Sequence, residues 1–100
     1  MARRILVEDF LFDEDNVEKI ATHGLTPRQV RQVLSNRPRL ITRNRARRRA
    51  SHVLIGRDDA GLCIAIPIEA TRQSGLWRPV TAWRCKLAEE ARLRQIRGRE

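Results

Sequence analysis

Three groups of side chains in this sequence could carry chemistry. One is a histidine at a helix junction, one is a crowd of arginines, and one is a pair of glutamates late in the chain. His23 sits in EKIATHGLTPRQV, residues 18–30, where one helix stops and the next begins. At a helix end it can set a cation against the dipole or bond the last carbonyls. Its imidazole can also move a proton or meet a phosphate at the corner between the helices. Asn16, seven residues earlier, falls on roughly the same face about two turns away.

The arginines say what such a corner would act on. Residues 28–49 hold nine Arg and no Asp or Glu, while the other twelve basic residues balance the twelve acidic ones. The whole net charge of +9 therefore belongs to one segment. A localised basic stripe attracts polyanions through phosphate contacts and counterion release, or docks an acidic protein. A chain that simply uses Arg in place of Lys, nineteen against two, would show a solvated stripe instead. Arg43, Arg45, Arg47, Arg48 and Arg49 fall within seven residues, in what reads as a loop between strands. Guanidinium groups grip phosphate bidentately and keep their charge. These five, with Arg78, are the expected RNA contacts. Arg57, Arg78 and Arg84, at sheet positions, could supply electrostatic stabilisation, and Glu69 and Glu89 are candidate bases, with a plain surface charge as the competing reading for each.

The reaction classes narrow by elimination of motifs. There is no Gly-rich phosphate loop, no His-rich metal motif, no serine elbow and no tyrosine. If the chain cleaves anything, the chemistry left is RNA transesterification without metal or cofactor. There the RNA brings its own 2′-hydroxyl, and the protein orients it, stabilises the phosphorane and moves protons. Cys63 and Cys85 form no short-spaced pair and share no zinc-type spacing with His23 and His52, so free cytosolic thiols are expected. The apolar run Ile5-Leu6-Val7 ends at Glu8, too short for a signal peptide, and LCIAIPI is too short to span a bilayer. A soluble, cytoplasmic protein with no membrane partner is expected.

The elements that must position these residues form one domain over residues 1–100. Residues 13–23 read as a helix with acids at its start and Val17, Ile20 and Ala21 on one buried face. Gly24 supplies a left-handed stop. Thr26, Pro27 and Gln29 then open a second helix as N-cap, first position and capping-box partner. Val30, Val33 and Leu34 continue its apolar face as far as residues 36–38. Strands follow at 40–42, at 52–55, along LCIAIPIEA and along LWRPVTAWR, with a turn at 58–61. In LCIAIPIEA, Leu62, Ile64, Ile66 and Ile68 point one way, and Cys63, Ala65, Pro67 and Glu69 the other. Pro67 marks a bulge or an edge. The tail is helical, with Leu87, Ala91 and Ile96 inward. The expected fold is α+β: two short N-terminal helices, a four-stranded antiparallel sheet and a C-terminal helix, with the helices packed on one side.

In that order the pieces resemble the BrnT family of bacterial toxins, ribonucleases of type II toxin–antitoxin pairs with a RelE-like fold. The likeness is carried by NVEKIATHGLTPRQVRQVL, VLIGRDDAGLCIAI and VTAWRCKLAEE, which together span residues 13 to about 93. It implies RNA cleavage without metal, neutralisation by a small cognate antitoxin, and binding of operator DNA by the toxin–antitoxin complex. His23, Arg57, Arg84 and Glu89 are then the expected catalytic residues. The chain departs from the family pattern at Ser51, Leu62, Trp83 and Leu93. A non-catalytic basic module that binds RNA or an acidic protein is the competing reading.

Overall fold

The computed structural model describes residues 5–45 and 49–97. Its first helix, α1 (Glu14–Thr22), is fixed by its own ends. Asp13 accepts a bond from the Asn16 N–H at 2.9 Å, and Asn16 Oδ1 accepts one from the Asp13 N–H at 2.8 Å, a reciprocal cap. His23 ends the helix and Gly24, at φ 73°, turns the chain where a side chain would be strained. The Thr26–Gln29 box and Pro27 start α2 (Pro27–Gln32), which tightens into a 3-10 turn at Val33–Ser35. Ile20, Val30 and Val33 are buried as expected. Ala21 is exposed, and Asn16 is buried in its stead. The Asn16 amide donates to Leu11 O at 2.9 Å and to Pro79 O at 3.0 Å, which rolls the helix so that 16 and 20 face the sheet.

The sheet has six strands, not four, and it is mixed. They are β1 (Asp9–Phe10), β2 (Leu40–Arg43), β3 (His52–Arg57), β4 (Cys63–Ala70), β5 (Leu76–Pro79) and β6 (Trp83–Arg84). The order is β1-β5-β4-β3-β2, with β6 also on β4; β1 runs parallel to β5 and the other pairs are antiparallel. The expected last strand breaks in two for a local reason. Ile68 faces Pro79 and Ala65 faces Trp83, so Ile66 and Pro67 stand opposite three residues, Val80, Thr81 and Ala82. That is a bulge, placed where Pro67 has no N–H to give, although its carbonyl still accepts from Val80 N at 2.8 Å. Pro67 therefore sits in the central strand, not at an edge.

The alternation expected in β4 is present. Ile64, Ile66 and Ile68 pack with Ile20, Val30, Val33 and Leu54 under α1 and α2, and Leu62 joins that cluster. Cys63 and Ala65 face the other way, against Ile55 and Leu93 of α3 (Leu87–Arg97). Helices thus cover both faces, correcting the one-sided expectation. Leu93 is the inward residue of α3; Leu87 is 89% exposed and Ala91 is exposed. The cause is Glu89, whose carboxylate accepts from Lys86 N at 2.7 Å and from Trp83 Nε1 at 3.2 Å, pinning the side that carries 89, 93 and 96 to the sheet. Gly56 is needed for close approach: a Cβ there would lie 2.6 Å from Val33 Cγ1. Cys63 and Cys85 are not free thiols but a disulfide, with Cα atoms 5.3 Å apart.

Candidate functional site

On the α3 side of the sheet the β4 row runs Cys63, Ala65, Pro67, Glu69, and α3 packs on the first two. At Pro67 a cleft of about 440 Å³ opens. The bulge and β6 supply Val80, Thr81 and Trp83; the last turn of α1 supplies Lys19, Thr22 and His23; Asn44 and Ala50 close it from the β2–β3 connection. His23 is there because Gly24 ends the helix at that point. Its backbone N–H bonds Ile20 O at 3.1 Å, while its exposed imidazole makes no hydrogen bond to a described residue. Lys19, four residues back and so on the same face, is 3.4 Å from Asp15. Trp83 is held by its indole N–H on Glu89, with Lys86 Nζ 5.6 Å from its ring centroid. Thr81 Oγ is buried with no described hydrogen-bond partner.

The other expected site residues divide by what their charges already hold. Arg43 and Arg45 rim a second opening of about 710 Å³ beside β2, with Arg92, and neither pairs with a described carboxylate. Arg49 holds Glu69 at 2.9 Å. Arg47 and Arg48 lie outside the described residues. Arg78, an expected RNA contact, is instead an internal clamp, its side chain only 13% exposed. It reaches Asp13 at 2.7 Å, Glu69 at 2.8 Å and Asp15 at 3.4 Å, joining α1 to β4 and β5. The cause is register: Arg78 stands directly across from Glu69 on one face. Arg57 reaches Glu90 at 3.5 Å and Gly61 O at 3.0 Å, tying α3 to the β3–β4 turn. Arg84 is exposed and, opposite Ile64, faces away from Trp83, which stands opposite Ala65.

The four expected catalytic residues are therefore not brought together. His23 lines the cleft and Glu89 stands behind Trp83, while Arg57 and Arg84 are elsewhere. Lys19 and Trp83 join His23 instead. Their signals in the sequence were the i, i+4 spacing of 19 and 23, and a tryptophan in a chain that has two. Among the described residues no three His, Cys, Asp or Glu side chains converge as a metal site. None of the described helices is long and apolar enough to cross a membrane.

The clamp has a pH signature. Arg78's bonds, first of all, hold the Asp13 carboxyl below its ordinary value of 3.8, and Asp13 in turn raises Arg78 against the opposing effect of burial. A carboxyl depressed in the folded state stabilises it above the ordinary value, and that contribution is lost as pH falls through the lower folded one. Urea midpoints of the native chain should thus drop on acidification from about pH 5 to about pH 2, more steeply than those of Arg78→Met. Parallel acid limbs would contradict the clamp.

No protein-family model matches the chain, and no curated protein matches it significantly.

Proposed function

We propose that the protein is a BrnT-like endoribonuclease with a RelE-like core, the toxin of a toxin–antitoxin pair, acting on RNA in the cytoplasm. The observation that supports this most is one cleft holding an imidazole with no described hydrogen-bond partner, an ammonium and an indole, next to a connection rich in arginine. In the reaction the RNA 2′-oxygen attacks the adjacent phosphorus and gives up its proton. The bond to the 5′-oxygen breaks, leaving a 2′,3′-cyclic phosphate and a 5′-hydroxyl that gains a proton. His23 serves one of these proton transfers, and Lys19 offsets charge on the non-bridging oxygens. Arg43 and Arg45 hold the flanking phosphates. A small acidic antitoxin would cover the same cations, and the pair would bind operator DNA.

Purified protein should cut a structureless RNA into fragments with cyclic-phosphate ends. His23→Ala should slow this by about a hundredfold or more, the usual range for a lost general acid or base. Cutting that survives His23→Ala unchanged would remove the histidine from the mechanism. One observation favours the alternative, a non-catalytic RNA-binding module: His23 is the single imidazole or carboxylate among the described residues lining the cleft. Salt-sensitive binding with no new RNA ends, in vitro or after induced expression, would decide for that module.

A further inference from the structure

We infer that the cleft takes one unstacked nucleotide, its base against the Trp83 indole and its phosphate toward Lys19 and His23. The inference rests on the RNA reading above and names the subsite that reads a base. Pro67, Val80 and Trp83 give the cleft apolar walls, whereas the Lys19 ammonium and the His23 imidazole come from the C-terminal end of α1 and its cap. An apolar wall facing one that carries an ammonium matches a nucleotide, a flat ring joined to an anionic phosphate. It does not match a bare phosphate, which has no use for the indole. The volume of about 440 Å³ lies in the range of sites for small ligands, about 300 to 1,000 Å³.

Trp83 is set in place beforehand. Its N–H is fixed on Glu89 at 3.2 Å, its backbone is in register with Ala65, and Glu89 is itself fixed by Lys86 N at 2.7 Å. A ring held in this way loses little freedom when a base stacks on it. Thr81 also lines the cleft, with its hydroxyl buried behind the surface and without a described partner. The bulge opposite Pro67 puts it there. Every base has a face to stack, so Trp83 gives affinity with little preference among bases.

The test is a ¹⁵N NMR titration of the whole chain with AMP, GMP, CMP, UMP, ribose 5-phosphate and inorganic phosphate. The mononucleotides should shift the Trp83 indole N–H and the amides of Thr22, His23 and Thr81. The Trp77 indole N–H, bonded to Leu6 O, should stay still. Half-saturation should come at about tenfold lower concentration than for ribose 5-phosphate, the weight of one stacked base. Trp83→Phe and Trp83→Leu both lose the bond to Glu89, but only the first keeps an aromatic face. Phe should retain the tenfold advantage and Leu should erase it. Equal binding of mononucleotides and ribose 5-phosphate, or a Leu variant as good as Phe, overturns the inference. If RNA is still bound and cut while no mononucleotide perturbs the cleft, the base subsite alone is wrong. If RNA is not bound at all, the functional reading falls with it.

Discussion

Reducing the Cys63–Cys85 bond is expected to lower the stability of the fold by about 3 kcal/mol, or roughly 15 °C in melting temperature for a domain of this size. The two cysteines are 22 positions apart, and chain entropy sets the magnitude: a closed loop of that length removes much of the freedom of the unfolded chain. The Cα separation of 5.3 Å is that of an ordinary disulfide. Packing keeps Cys63 in place even when reduced, since it is 5% exposed beside Ile55 and Leu93. The loss should therefore appear as a weaker fold, not a collapsed one. Melts with and without reductant measure it. The native chain should shift and Cys85→Ser, already unbridged, should not. Two reactive thiols in unreduced native protein, with no shift on adding reductant, would mean that the bond does not form.

Asn16→Ala should be nearly as costly, again about 3 kcal/mol, although it removes only a small polar side chain. The amide serves Leu11 O, Pro79 O and the Asp13 N–H at once, and it is fully buried. Alanine leaves two carbonyls and a donor without partners, each carrying a desolvation penalty of about 1 kcal/mol or more. Asn16→Asp sharpens the test. It keeps the acceptor for Asp13 N but turns a carboxylate toward two carbonyls and toward Asp13 itself. Aspartate should thus be no better than alanine, against the usual ranking at helix starts. Denaturant midpoints decide, and a nearly neutral Asp variant would show that the bonds to Leu11 and Pro79 carry little.

The features legible in the sequence were those with local causes. Asp13, Gly24, Thr26, Pro27 and Gln29 act within a few residues of themselves, and both N-terminal helices follow from them. The alternation in β4 and the turn held by Asp58 were visible for the same reason. β1 was not, because two residues make no pattern and its partner β5 lies more than sixty positions away. The disulfide and the helices on both faces are likewise tertiary facts. For the site, the limit was that arginines look alike in a sequence. Arg78 and Arg57 are spent on carboxylates brought in from other elements, while Arg43 and Arg45 meet no described carboxylate, and only the fold distinguishes them. Asn16 and Gly56, both within the stretches that carried the family resemblance, turn out to hold the architecture together. A likeness through such positions speaks more to shape than to reaction.

The disulfide also divides the cleft by kind of bond. Cys63 opens β4 and Cys85 follows β6, so Pro67, Val80, Thr81 and Trp83 all belong to a single covalent ring. Lys19 and His23 stand outside it, on a short helix held by Asn16 and the carboxylate clamp. Such a cleft has one wall closed by a covalent bond and one, carrying Lys19 and His23, held by packing and polar contacts alone.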